Sequence, residues 1–371
     1  MGIISNSCIK TKLKKLQEIE SYTIGESTEK LARRLGLLPA EIVKLNFNEN
    51  LFLPKKDLTE IIKLVADECD LRIYPQEEQN KLKESISKQL KVPFDSIVVG
   101  NASDELIDRI SRLFLEKGEI AVSISPTFPV FKYCAKRQGA NYLTIPLLDN
   151  FKLNIKQLLA SFSTKTSLLY LCSPNNPTGN QFNKTEIETL INKFPGIVVL
   201  DEAYAEYAQY SLVSKVNDFE NLIILRTFSK AFGLAALRLG YAVTNSKLSN
   251  ILTEKSPLPF PVSSFTLNMG QKLLENYSIV SKSVAELIIE REKLIKRLNQ
   301  INGIKAFNSQ ANFVLFAADK PYEMVYQALL NKGLLIKKIG KISHLDNCLR
   351  TTVGLPWMNE KLIENLTKIF R

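Results

Sequence analysis

The sequence predicts an α/β protein. A large domain with a mainly parallel central sheet flanked by helices is joined to a smaller α+β domain. Three observations carry that prediction. Short, mainly apolar runs without polar alternation at residues 97–100, 119–124, 167–172, 197–200 and 222–225 read as strands buried on both faces. Amphipathic stretches alternate with them, the order that strand–helix–strand units require. The alternation stops at residues 256–261, where Pro257, Pro259 and Pro261 forbid continuous helix and suggest an interdomain crossing. The expected division is 46–256 for the large domain, and 1–45 with 257–371 for the small domain and an N-terminal arm.

Taken in order, residues 22–25 read as a loop and 29–37 as a short helix. Residues 45–50, Leu-Asn-Phe-Asn-Glu-Asn, form a connector, because asparagine side chains bond to nearby backbone and favour turns. Residues 58–65 are an amphipathic helix, and Pro75 biases Tyr74 towards extended backbone. A helix at 82–90 precedes the first strand, 97–100. The run 101–105, Asn-Ala-Ser-Asp-Glu, supplies capping residues for a helix through Phe114. Strand 119–124 leads through a proline turn to a helix at 130–138. Strand 167–172 empties into Ser-Pro-Asn-Asn-Pro-Thr-Gly at 173–179, and a helix at 185–192 follows. Strand 197–200 ends in Asp-Glu-Ala-Tyr at 201–204, and strand 222–225 runs into Arg-Thr-Phe-Ser-Lys at 226–230. Beyond the prolines, 279–298 is a long helix with Val284, Leu287, Ile288, Leu294, Ile295 and Leu298 on one face. Residues 312–316 and 349–353 are strands of the smaller domain.

Composition excludes several classes. Five scattered cysteines with no Cys-x-x-Cys pair argue against a disulfide framework or a structural zinc site. A single histidine, His344, excludes multi-histidine metal sites, and no metal is expected. The net charge of +11 comes from 49 basic residues interleaved with 38 acidic ones. It reads as a generally basic surface that favours anionic small molecules, with no nucleic-acid partner. No apolar run approaches membrane-spanning length and the first twenty residues lack a signal-peptide core, so a cytoplasmic location is expected.

The chemistry gathers at the carboxyl ends of the predicted strands, where parallel sheets carry their ligands. Asn101 and Ser103, Asn176, Asp201 and Lys230 each follow an apolar strand. Singly they are bland: Asp201 would cap a helix, Asn176 would form a turn, and Ser103 would cap its own helix. Together they place an amine, a carboxylate and, with Arg238, a permanent cation on one rim. A desolvated lysine there is a nucleophile for carbonyl carbon. These groups suit pyridoxal phosphate, in which a lysine condenses with the cofactor aldehyde and an acid partners the pyridinium nitrogen. Asn176 and Tyr204 could bond the phenolic oxygen. The phosphate would sit at the helix start Ala102-Ser103-Asp104, caged by Ser229 and Arg238.

From residue 22 to 353 the chain resembles the fold-type I aminotransferases, the aspartate aminotransferase superfamily. The resemblance rests on Asn-Glu-Asn at 48–50, Tyr74-Pro75, residues 101–106, 173–179 and 201–204, Arg-Thr-Phe-Ser-Lys-Ala-Phe at 226–232, and Leu-Arg-Thr-Thr-Val-Gly at 349–354. It points to the branch that exchanges an amino group between a phosphorylated amino alcohol and glutamate or 2-oxoglutarate. The resemblance implies a homodimer with a shared active site, in which Tyr74 reaches the neighbouring chain's cofactor phosphate. It makes Phe128 the ring-stacking aromatic and Arg350 the grip on the substrate's distal anion. Lys337 stands where relatives often have a second arginine, keeping the charge and losing the fork. Tyr22, Asn50 and Asn312 match further substrate-pocket positions. An aromatic-amino-acid aminotransferase, a decarboxylase of a phosphorylated amino acid and a non-catalytic binding protein on the same scaffold are the alternatives.

Overall fold

The computed structural model describes residues 7–17, 25–255 and 258–371. Seven strands form the large sheet: β1 (Ile97–Gly100), β2 (Ile120–Ser125), β3 (Asn141–Pro146), β4 (Thr166–Cys172), β5 (Ile197–Asp201), β6 (Leu222–Thr227) and β7 (Gly240–Thr244). Their spatial order is β1-β7-β6-β5-β4-β2-β3. All neighbours pair in parallel except β7, which runs antiparallel to both β6 and β1. The expectation of a mainly parallel sheet holds, and β3 and β7 are additions to it. β7 escapes a pattern search because its five residues follow immediately on the Lys230–Arg238 loop.

The mainly apolar runs find a direct explanation in period-two geometry. Along β4, Leu169 and Leu171 enter one core while Leu168, Tyr170 and Cys172 enter the core on the opposite face. In β6, Leu222 and Ile224 face one way, Ile223 and Leu225 the other. Each fully buried Leu or Ile contributes on the order of 1.5–3 kcal/mol. Moving a strand by one residue would exchange the two faces, so paired cores fix the register.

Helices α1 (Lys55–Glu68), α2 (Glu78–Leu90), α3 (Ala102–Phe114), α4 (Val130–Arg137) and α5 (Lys184–Lys193) accompany the large sheet. Asn101 was expected to cap α3, but its side chain makes no capping bond. Glu105 reaches back instead, and its Oε2 accepts the Asn101 N–H at 3.2 Å. Residues 45–50 are irregular, as expected of a connector, yet Leu45, Asn46, Asn48 and Asn50 are all buried.

The second sheet has four antiparallel strands, β8 (Ile304–Ala306), β9 (Phe313–Ala318), β10 (Lys337–Ile342) and β11 (Leu345–Thr352), in the order β10-β11-β9-β8. After the proline segment, α6 (Ser264–Glu275) packs on α1 and α2, whereas α7 (Tyr277–Leu298) packs on β8 and β9. The apolar core on one face of the large sheet continues without a break into the small one through Phe313, Leu315 and Val353. Among the described residues no helix is long and apolar enough to cross a membrane.

Candidate active site

A cavity of about 500 Å³ opens where β4, β5 and β6 end. Cys172, Asp201 and Thr227, the last residues of those strands, all line it. Ser229 and Lys230 enter it two and three residues beyond β6. The opposite wall comes from the 46–48 connector and from Lys337, Ile339 and Arg350 of the small sheet. The site therefore lies between the two sheets.

Lys230 donates from Nζ to the Phe47 carbonyl at 3.0 Å. Burial, and then the positive charge of Arg350, bring its pKa down to about 8. An amine of that pKa is available as a nucleophile in part at neutral pH and mostly above pH 8. Asp201 is 3% exposed. Its Oδ1 accepts the Ala203 N–H at 3.0 Å, and burial raises its pKa to about 7. Among the described residues no cation forms an ion pair with it. A buried carboxylate with one backbone donor and no cation in contact with it fits a cationic ring nitrogen.

The rim above β1 has the shape and donors of an anion cradle. Gly240 of β7 lies so close to the start of α3 that a Cβ there would stand 2.5 Å from the Ser103 nitrogen and 2.7 Å from the Ala102 carbonyl carbon. Only glycine allows that approach. Ala102 holds a left-handed backbone, φ 70°, a strain of about 1–2 kcal/mol for a residue with a Cβ. Beyond it the free N–H groups of α3 sit at the positive end of the helix dipole. Arg238 donates to Ser229 Oγ at 3.5 Å and to Asp104 Oδ2 at 3.0 Å. Asp104 was expected to lend its backbone N–H to the helix-start cradle, and its carboxylate pairs with Arg238.

Tyr204 is buried, and its hydroxyl accepts from Asn48 Nδ2 at 3.0 Å. Asn176 Oδ1 accepts from Arg350 Nη1, which turns the Asn176 amide nitrogen away from that guanidinium. Phe128 lines the cavity and meets Phe131 edge-on at 5.7 Å; Phe131 in turn stacks on Tyr170. Arg350 also donates to the Asn46 carbonyl at 2.7 Å and lies 5.1 Å from the Phe313 ring. Lys337 and Arg350 are direct partners across β10 and β11, so both project to the cavity side. Lys338 points away, paired with Glu323 at 3.0 Å.

Three expected residues, Asn50, Asn312 and Tyr74, do not line the cavity. Asn50 does not line the cavity: its Nδ2 donates to the Ala231 carbonyl at 2.8 Å and to Ser283, and its Oδ1 accepts the Phe52 N–H. It braces the turn after Lys230 and has no donor left for a substrate. Asn312 is fully buried behind the site, donating to the Asn48 carbonyl at 2.8 Å. Tyr74 is 74% exposed and stacked on Phe260 at 4.9 Å, outside this chain's cavity. Tyr22 lies outside the described residues. Conversely Asn46, Phe47 and Asn48 line the cavity and were missed as contacts. Their signal was present as three asparagines spaced by two, of which only Asn50 was assigned to the pocket.

A partly desolvated lysine, an unpaired buried carboxylate and an anion cradle on one rim define an enzyme that handles amines through an aldehyde cofactor. The residues present fit pyridoxal phosphate on each count. The family described as aminotransferase class I and II matches residues 40–369. The chain belongs to that family, and is a pyridoxal-phosphate-dependent aminotransferase. It is 35% identical to the histidinol-phosphate aminotransferase of Caldanaerobacter subterraneus subsp. tengcongensis, over 88% of this chain and 92% of that one. It is 34% identical to the protein of the same name from Methanosarcina mazei, over 94% of both. The structure superposes on histidinol-phosphate aminotransferase from Sinorhizobium meliloti in complex with pyridoxal-5'-phosphate with a TM-score of 0.85, covering 96% of each chain at 24% identity.

Proposed function

We propose that this aminotransferase converts histidinol phosphate and 2-oxoglutarate to imidazole acetol phosphate and glutamate. The observation that carries the reading is the in-register pair Lys337 and Arg350 on one cavity wall. Like charges directly opposite each other on a sheet destabilise it. Burial first, and then the positive charges of Arg350 and Lys338, lower the Lys337 pKa, so repulsion adds to the cost of desolvation. A phosphate or a carboxylate placed between the two relieves it, so one anion site serves both half-reactions. The names of the curated relatives support the same substrate.

When bound, the cofactor supplies an aldehyde for amine exchange and a ring that draws electrons from the substrate carbon. The chain's residues supply the rest. Ser103, Ser229 and Arg238, with the backbone of Ala102 and Asp104, hold the phosphate. Asp201 keeps the ring nitrogen protonated, Phe128 covers the ring face, and Asn176 and Tyr204 donate to the phenolic oxygen. Lys230 would hold the aldehyde, and its amine would move the proton at the substrate carbon.

Two structural proposals accompany this one. Tyr74, Phe260, Leu71, Ile73 and Leu258 are all exposed apolar residues. Tyr74 and Phe260 stack on each other, and the group supports a homodimer in which Tyr74 serves the neighbouring site. The division into 46–256 and 1–45 with 257–371 suits the two sheets, and the packing of α6 favours moving the second boundary to near Asn276.

The test is substrate competition. Purified enzyme offered histidinol phosphate, phenylalanine and threonine phosphate separately should turn over the first at least tenfold faster by kcat/KM. Preference for phenylalanine, or release of carbon dioxide from threonine phosphate, would overturn the reading.

A further inference from the structure

One cavity residue belongs to no role assigned so far. Asn48 is a non-glycine residue in the left-handed region, φ 57°, and is 2% exposed. Its backbone is tied to the small sheet: its N–H donates to Thr352 Oγ1 at 2.9 Å, and its carbonyl accepts from Asn312 Nδ2 at 2.8 Å. The side chain crosses to the large domain, where Nδ2 donates to the Tyr204 hydroxyl at 3.0 Å. Its Oδ1 is buried without a hydrogen-bond partner. Exchanging the amide's oxygen and nitrogen would leave a buried N–H group unpaired instead, and orphaned donors are rarer than orphaned carbonyl oxygens.

A phenol that accepts a hydrogen bond still has one proton to donate. Tyr204 is buried, and the other direction open to its hydroxyl is the cavity, which Tyr204 and Asn48 both line. We propose that Asn48 is a positioning residue that fixes the direction of the Tyr204 hydroxyl, so that this phenol donates to an anionic oxygen in the cavity. Resting on the placement of the cofactor's phenolic oxygen at Tyr204, this makes the connector a determinant of cofactor electronics. A hydroxyl held as donor stabilises the anionic oxygen, and the amide bond polarises it further. Because the Asn48 backbone hangs from Thr352 of β11 and from Asn312, the residue before β9, a shift of the small sheet against the large one would reach that phenol.

The test uses the visible absorbance of the reconstituted holoenzyme, titrated with pH, rather than its activity. Asn48→Gly removes the side chain and keeps the left-handed backbone at little cost. It should move the absorbance midpoint upward by roughly half a unit to one unit. In a Tyr204→Phe background the same substitution should move it by less than about 0.2 units, because coupled residues lose their joint effect when either is removed. An equal shift in both backgrounds, or none in either, overturns the proposal. Should the glycine variant not fold, Asn48→Asp replaces it with the same shape. Its upward shift must then be larger with Tyr204 present than in the Tyr204→Phe background, where only the added charge acts; equal shifts overturn the proposal. A protein that never develops a visible band with pyridoxal phosphate would instead refute the cofactor placement, a distinct result.

Discussion

Two cations lie four residues apart at the end of β6, and the fold treats them in opposite ways. Arg226 is 5% exposed and sits between two carboxylates, Glu202 at 3.2 Å and Glu206 at 2.6 Å. Glu202 is itself held by the Leu212 N–H and the Ser211 hydroxyl. Lys230 faces the cavity, where its hydrogen bond goes to a neutral carbonyl and the nearby Arg350 repels it. The surroundings of Arg226, chiefly Glu206, outweigh its desolvation and raise its pKa, while those of Lys230 lower its pKa. Burial is common to both. What differs is the partner, and the partner decides whether a buried cation is a fixed structural charge or a reactive amine.

The comparison is broken most severely by removing the amine. Lys230→Ala should lower kcat by roughly 10⁴-fold or more, with no covalent retention of cofactor after borohydride. Single-turnover absorbance checks the first and peptide mapping the second. Next comes the structural cation. Arg226→Met leaves two buried carboxylates facing each other and should cost about 3–5 kcal/mol in urea unfolding. On the small sheet, Lys337→Ala should raise KM for the phosphorylated substrate by roughly 10- to 100-fold, through loss of a charged hydrogen bond. Lys337→Arg should lower it a few-fold by restoring a fork. Steady-state kinetics distinguish the two.

Lys230→Met sharpens the contrast with Arg226→Met, because it should stabilise the cofactor-free protein by about 1–2 kcal/mol at pH 7. The sign follows from the lowered pKa. Between about 8 and the ordinary lysine value of 10.5, the unfolded chain binds more protons than the folded one. The unsubstituted protein therefore gains stability as pH rises through that window, and the methionine variant should lose that part of the slope. Denaturation midpoints at pH 7, 8, 9 and 10 measure it. The smallest effect belongs to Lys338→Ala, whose partner Glu323 is exposed on the other face. It should change KM by less than about twofold.

Most of the large sheet was legible because each of its central strands is buried on both faces and so reads as a mainly apolar run without polar alternation. β7 was not, since a five-residue strand adjoining a motif loop gives too short a window. α6 was missed for a related reason: the prolines before it dominate the local pattern. At the site, the gathering of Lys230, Asp201, Asn176 and Ser103 on one cavity was legible from their position after strands, and Arg238 came with the loop that follows Lys230. Asn50 and Asn312 were matched to pocket positions, but fold into the scaffold around Asn48 and Ala231. A one-dimensional pattern does not say which of several asparagines in a turn faces the cavity and which faces the core.

By itself the sequence determined which groups could do chemistry and on which rim they would gather, because strand ends and helix starts are local properties of periodicity and capping. Tertiary structure decided the partners. It set Arg350 against Asn176, Lys337 opposite Arg350, and the Asn48 amide against Tyr204, contacts spanning up to 174 residues. Those pairings fix charge, proton direction and pKa. They arise only when two separate sheets close on one cavity, and no local pattern encodes which distant side chain arrives there.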